Sequence, residues 1–379
     1  MPGTKRKGKN DAWYLEVTID GHRYNKTFHG TEKQADKKLA MFYAECAKGK
    51  TNHGSTLTIR KLSEMYYSDY VLKKLKPLSC KNARQAMKHI NDGLGKKKLS
   101  ALKRADIQKW VYAMEDTDLQ PVTVRLYYNT LSGMLKYAVR IGLIENSPCH
   151  DIELPHAPRK EAKYYTKAEV IALLDALDTL PEDMLHYKVI VYIALFGGLR
   201  QGEIIGLNWE DIDFENHTIS VVRTRQFVTG RGTIEGTPKT ERSVRCITLP
   251  ETVFGMLSDL LIKQKEMRLK MGNKWVESPQ VIRNAYGNPM SADRPTPWLR
   301  KFLKAHNLPP ITMHGLRHTH TSLLAHLQTN KVDISKRLGH ARLSTTLNIY
   351  THLFEDADRE IAASLESFTE NLRKTHNQK

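Results

Sequence analysis

Between Asn146 and Lys160 the chain reads NSPCHDIELPHAPRK, a stretch that no regular element can cross. Pro148, Pro155 and Pro158 lack amide donors and hold the residues before them in extended backbone, so the segment reads as a basic linker that divides the chain. Upstream of it, apolar residues recur at helical spacing over Leu57 to Val71, Ser79 to Ile90, Lys103 to Glu115 and Pro121 to Ile141. Ile107, Trp110, Val111 and Met114 make one stripe. Val124, Tyr127, Tyr128, Leu131, Met134, Leu135, Tyr137 and Ala138 make another, and such stripes are the buried seams of a helical bundle. Downstream, the period alternates between helix and short strand. Thr166 and Glu169 form a capping box that opens a new domain, and the apolar run Val189 to Phe196 predicts a helix ending near Gly197.

The N-terminus follows a different pattern. After a Lys- and Gly-rich leader over residues 1–10, Leu15, Val17 and Ile19 alternate with Tyr14, Glu16 and Thr18, and Asp20-Gly21 is a hairpin turn. Glu32 to Ala47 then places Ala35, Leu39, Phe42, Tyr43 and Cys46 on one helical face, and Lys48 to Ser55 reads as a polar linker. The expected fold class is α+β, mainly α with small β-sheets. Its parts are a sheet-plus-helix domain over residues 1–55, a helical bundle over 56–157, and a mostly helical domain with a β-hairpin over 158–379.

At 379 residues the chain has material for two or three domains, and its formal charge is +18. The excess is uneven, at +5 for residues 1–56, +9 for 57–160 and only +4 for 161–379. A polyanion gripped by the first 160 residues explains that bias, and a merely solvated basic surface is the blander explanation. Four scattered cysteines, Cys46, Cys80, Cys149 and Cys246, form no CxxC pair and suit a reducing compartment. No apolar run approaches the ~18 residues of a membrane span, and the N-terminus lacks a signal peptide's apolar core. The expected location is the cytoplasm, at the nucleoid if the polyanion is DNA.

Three stretches of the last domain carry the chemistry. In FGGLRQGEIIGLNW, Arg200 follows Gly197-Gly198, and Glu203 three residues on is placed to hold its guanidinium. Thr237-Pro238-Lys239-Thr240, with Ser243 and Arg245, falls near the turn between strand-like runs at Asp213 to Val222 and Arg245 to Leu249. From Thr312 to Tyr350, His314, Arg317 and His340 precede a tyrosine, with Gly315 and Gly339 as punctuation. A phenol of pKa near ~10 needs a base before it can attack at neutral pH, and a phosphodiester needs cations before it can be attacked. His314 and His318 stand four apart, a spacing that suits zinc on a helix, but Gly315 occupies the position where a thermolysin-type motif needs glutamate. No metal site is assigned.

Arg200, Lys239, His314, Arg317, His340 and Tyr350, in this order, resemble the tyrosine site-specific recombinases, in particular the integrases of temperate phages and conjugative transposons. The likeness covers the last two hundred residues in detail and the domain plan of the whole chain. It implies transesterification without cofactor, metal or nucleotide. Arg200 and Arg317 hold the scissile phosphate, Tyr350 attacks phosphorus with His314 as base, Lys239 protonates the leaving 5′ oxygen, His340 bonds a phosphate oxygen, and Glu203 orients its neighbours. The product is a 3′-phosphotyrosyl link, reversed by a hydroxyl from a second duplex to integrate or excise a mobile element.

The resemblance also implies an arm-type DNA-binding domain at residues 1–55, with Lys5, Arg6, Lys7, Arg23 and Lys26 as contacts. It implies a core-site domain at 56–157, coated by Lys73, Lys74, Lys76, Lys81, Lys88, Lys96, Lys97 and Lys98, and a catalytic domain at 158–379. The implied partners are double-stranded DNA, further copies of the chain as a synaptic tetramer, and an accessory DNA-bending or excisionase protein. An amphipathic tail, Asp356 to Leu372, with Ile361, Ala362, Leu365, Phe368 and Leu372 on one side, is expected to dock on a neighbouring subunit. A type IB topoisomerase and a non-catalytic DNA-binding regulator of the same fold remain the alternative readings. The arm-like domain and tail fit a multimer better than the first, and the second does not require all six residues.

Overall fold

Trp13, Leu15 and Val17 point to one side of their strand because successive residues of extended backbone face opposite ways, and in the computed structural model all three are buried. The structure describes residues 3–8, 11–19, 22–47, 56–158, 163–236, 244–327 and 329–339. The Asp20-Gly21 turn, the linker over 48–55, Lys160, Thr237, Pro238, Lys239, Thr240, Ser243, His340, Tyr350 and the tail lie outside the described residues.

The chain divides into two compact units, residues 1–159 and 160–379. In the first, β1 (Thr4–Lys7), β2 (Ala12–Ile19) and β3 (His22–His29) form an antiparallel sheet in that order, and α1 (Glu32–Ala47) covers one face. The register decides where the basic residues lie. Lys5 pairs with Leu15, Lys7 with Trp13, and Leu15 with Lys26, so these three lysines share the face that α1 covers. Arg6 pairs with Tyr14 and Arg23 with Thr18, which puts both arginines on the open face.

A separate apolar core in the same unit belongs to the bundle. Helix α2 (Ile59–Tyr66) passes through a π-helical turn, Tyr67–Val71, into α3 (Leu72–Lys74). Then come α4 (Pro77–Leu94), α5 (Arg104–Glu115) and α6 (Pro121–Arg140), of which α4 and α6 begin on proline, whose missing donor costs nothing in the first turn. Ile59, Leu62, Ile90, Ile107, Leu131 and Met134 are fully buried, each contributing about 1.5–3 kcal/mol over exposure. Lys73, Lys74, Lys76, Lys81, Lys88, Lys96, Lys97 and Lys98 are all exposed.

The second unit opens with α7 (Lys167–Asp178), whose capping box is formed as expected: Thr166 Oγ1 accepts from the Glu169 amide, and Glu169 Oε2 accepts from the Thr166 amide. The central helix is α8 (Leu185–Gly197), apolar around most of its girth, with Val189, Ile190, Val191, Ile193, Ala194 and Leu195 buried. After the short helix α9 (Gln201–Ile205), β4 (Ile212–Asp213), β5 (Thr218–Val221) and β8 (Arg245–Thr248) form an antiparallel sheet.

One expectation fails here. The strands Asp213 to Val222 and Arg245 to Leu249 are not joined by a simple turn, because β6 (Thr224–Val228) and β7 (Gly232–Gly236) form a hairpin of their own between them. Gly202 gives that hairpin room against α9. A Cβ there would stand 2.6 Å from Thr224 Oγ1 and 2.7 Å from the Arg225 carbonyl oxygen, so the bare glycine lets β6 pack against α9. Helices α10 (Glu251–Met271), α11 (Pro295–Ala305), α12 (Met313–His326) and α13 (Lys331–Leu338) follow among the described residues. Gly315 is not punctuation either, since it lies inside α12, and the Thr312 hydroxyl caps that helix by accepting from its amide. Among the described residues no helix is long and apolar enough to cross a membrane.

Candidate active site

Helix α8 ends where Gly198 takes a left-handed conformation, φ 63°, that stops the helix and turns the chain toward Arg200. A Cβ on Gly198 would lie 2.5 Å from His320 Cδ2, so the position needs glycine for both backbone and space. Arg200 itself is the N-cap of α9 in extended backbone, not a helical residue on the same face as Glu203. The pairing arises through the cap instead. Glu203 Oε2 accepts the Arg200 amide at 2.9 Å, and its Oε1 accepts Arg200 Nη1 at 2.8 Å.

Glu203 is buried, at 3% exposure, and has a second cation that the chain's linear pattern did not assign to it. Arg245, at the start of β8, donates Nη2 to Glu203 Oε2 at 2.9 Å. Burial opposes the carboxylate's charge, but the hydrogen bond and charge of Arg245, with the amide and guanidinium of Arg200, outweigh it and hold the carboxyl below its usual range. The arginines differ in exposure: the Arg200 side chain is 40% exposed, and Arg317 is 2% exposed. Arg200 thus presents its guanidinium toward solvent from a buried anchor.

Arg317, on α12, is buried among the ends of helices. Its Nη1 donates to the Gly198 carbonyl at the C-terminus of α8, and its Nη2 to the Leu338 carbonyl at the C-terminus of α13, the latter at 2.6 Å. Helix C-termini carry partial negative charge, which offsets the cost of placing a guanidinium there. One turn earlier on α12, His314 keeps an exposed face. Burial of its ring and the charges of Arg317 and Arg200 depress its pKa, so the imidazole is neutral at pH 7 and able to accept a proton. His318 meets it edge-on, ring centroids 4.6 Å apart, and is pushed down to about 4, first by burial and then by competition with His314 for a proton and the charge of Arg317.

Arg200, Glu203, His314 and Arg317 are therefore brought to one site from α9 and α12. Lys239, His340 and Tyr350 lie outside the described residues. The sequence pattern gives Arg245 and Arg337 no role and leaves His318 and His320 outside the catalytic set as structural or DNA-near residues. His320 is buried, its Nδ1 bonds the Leu195 carbonyl at 2.9 Å, and its Nε2 accepts Arg337 Nε at 3.3 Å; burial and the neighbouring guanidiniums push it down to about 3. A lone arginine in the last turn of a short helix gives no sequence signal beyond ordinary dipole complementarity.

The basic residues proposed to meet DNA in the first unit separate into classes. Lys5 is engaged by Glu32 at 3.2 Å and Asp36 at 2.6 Å, and it lies over the Trp13 ring, as does Lys7. Lys26 lies over Phe42, Arg23 pairs with Glu16 at 3.0 Å, and Lys97 pairs with Asp106 at 2.6 Å.

A family model described as the phage integrase family matches residues 163–356. The chain belongs to that family. A second model, a phage integrase N-terminal SAM-like domain, matches residues 58–114. The XerC-like tyrosine recombinase of Caldanaerobacter subterraneus is 29% identical over 372 residues, covering 91% of this chain and 94% of the relative. The ICEBs1 integrase of Bacillus subtilis is 25% identical over 368 residues, covering 95% and 98%. Among solved structures, the Tn1549 transposon integrase in complex with transposon right end DNA superposes with a TM-score of 0.69 at 23% identity, over 81% of this chain and 99% of that one. A lambda integrase dimer bound to a core site gives a TM-score of 0.56 at 17% identity, over 91% and 93%. These two likenesses show the shared α+β fold. As a phage integrase family member the chain is a tyrosine site-specific recombinase, an enzyme of DNA strand transfer.

Proposed function

We propose that this recombinase integrates and excises a mobile element, with Arg200, Lys239, His314, Arg317, His340 and Tyr350 as its catalytic set. The observation that carries this reading is the convergence of Arg200, His314 and Arg317, with Glu203 anchoring the first and helix C-termini offsetting the charge of the last. Two guanidiniums on one site suit a phosphodiester, whose charge grows as phosphorus becomes pentavalent. Tyr350 Oη attacks phosphorus and passes its proton to neutral His314. The bond from phosphorus to the 5′ oxygen breaks, and Lys239 protonates that oxygen. His340 bonds a non-bridging oxygen. The 3′-phosphotyrosyl link keeps the diester's energy, so a 5′ hydroxyl from a second duplex reverses the step and exchanges strands.

The wider assembly follows the same reading. Residues 1–55 bind arm-type sites, through Arg6 and Arg23 on the open sheet face. Residues 56–157 grip the crossover duplex through the exposed lysines Lys73, Lys74, Lys76, Lys81, Lys96, Lys97 and Lys98. Residues 158–379 cut it. A lambda integrase tetramer bound to a Holliday junction is a structural neighbour, TM-score 0.56, and the synaptic complex here is likewise a tetramer. An accessory DNA-bending or excisionase protein sets direction, and the enzyme works in the cytoplasm, at the nucleoid.

A nicked suicide duplex carrying the crossover site tests the assignment, because the short fragment bearing the freed 5′ hydroxyl diffuses away and leaves the covalent complex trapped. Tyr350→Phe is expected to bind it with wild-type affinity and to form no adduct. An adduct of wild-type yield from this variant removes Tyr350 from the site.

A further inference from the structure

Helix α13 has eight residues, and its buried side chains are only Ile334, Ser335 and Leu338, too few to fix its position by apolar packing alone. Guanidinium groups hold it instead. Arg337 Nη2 donates to the Phe196 carbonyl of α8 at 3.1 Å and to the Thr248 carbonyl of β8 at 2.9 Å, while its Nε donates to His320 of α12 at 3.3 Å. In the other direction, the α13 backbone accepts two arginines: Arg245 Nε bonds the Arg337 carbonyl at 2.7 Å, and Arg317 Nη2 bonds the Leu338 carbonyl at 2.6 Å. Three separate elements thus meet one planar, five-donor fork, which lysine's single ammonium cannot reproduce.

From these contacts we infer that Arg337 is a positioning residue for DNA cleavage, locking α13 to the walls of the phosphate site and so setting where the following segment, with His340 and Tyr350, begins. Gly339, in a left-handed conformation at φ 64°, ends α13 one residue before His340, leaving little chain in which an error of helix placement is absorbed. The lock also requires His320 to stay neutral. Its Nε2 must accept from Arg337 while its Nδ1 donates to Leu195, and its burial among Arg337, Arg317 and Arg245 keeps the second proton off. Arg337 is not among the proposed phosphate ligands, and its hydrogen bonds join α8, β8 and α12 to α13, so any effect on the reaction passes through those elements.

The inference rests on Tyr350 as the nucleophile, and Tyr350→Phe run in parallel separates the two ideas, since an adduct from that variant overturns the nucleophile and not the lock. The readouts for full-length Arg337→Met are the dissociation constant for an unnicked crossover duplex and the single-turnover rate of adduct formation at saturating suicide duplex. Because misplacement of a reacting group by about 1 Å costs on the order of 100-fold, the rate should fall by about that factor with affinity unchanged within about threefold. Arg337→Lys should recover only part of the rate. A wild-type rate from Arg337→Met overturns the inference. If Arg337→Met does not bind DNA, Arg337→Lys decides: slow cleavage with intact binding supports the lock, and joint loss of binding and cleavage reassigns Arg337 to holding the fold.

Discussion

Glu203→Gln removes one negative charge from between Arg200 and Arg245 while keeping the size of the side chain. The Arg245 and Glu203 side chains are 7% and 4% exposed, so this pair has little solvent screening, whereas Arg200, 40% exposed, adds little to stability. Breaking a buried pair by removing one partner costs about 3–5 kcal/mol, and since the amide retains a carbonyl acceptor the lower end, ~3 kcal/mol at pH 7, is the expected loss. For a unit of this size that corresponds to a fall in Tm of roughly 6–12 °C. The pH dependence has a definite sign. The folded-state carboxyl lies below the ordinary value of 4.5, so its stabilisation is fully present above that value and disappears as pH falls through the lower folded value. Scanning calorimetry of both full-length proteins should therefore show a gap that is constant from neutral pH to about pH 5 and narrows below it. Equal melting at pH 7, or a gap that persists unchanged into acid, would refute the argument that the charge on Glu203 organises the two arginines.

Lys239→Ala should lose cleavage by roughly 10²–10⁴-fold on ordinary DNA and regain most of it on a duplex with 5′ bridging sulfur, which leaves without a proton. Arg200→Ala should stay slow on both duplexes, and a lysine variant equally slow on both is not missing a general acid. Gly198→Ala, with a Cβ 2.5 Å from His320 Cδ2 and a positive φ, should destabilise the second unit by at least about 1–2 kcal/mol in urea unfolding; a neutral result would mean that α8 and α12 yield freely there. A chain starting at Leu57 should footprint the crossover site as wild type and lose separate arm sites, and an unchanged footprint over a whole attachment region would give the N-terminal sheet another use.

The elements that were legible in the chain are those whose determinants are local. The Thr166 and Glu169 capping box, the bundle stripes and the stop of α8 at its glycine pair each depend on residues within a turn or two of one another, so periodicity and cap chemistry suffice to find them. Arg200 and Glu203, three apart, belong to the same class, although the bond forms through an N-cap and not along a helix face. What the linear pattern did not reveal depends on register and on distant partners. Lys5 and Lys26 read like Arg6 and Arg23 until strand pairing puts them on opposite faces of the sheet. Glu203 meets Arg245 across 42 positions, and Arg337 meets Phe196 across 141. A charged side chain's spacing carries no record of a partner that far away. The residues proposed to bear the chemistry could be picked out because their types suit a phosphodiester, whereas Arg245, Arg337 and the buried His320 meet their partners only through the packing of α8, α12, α13 and β8 against one another.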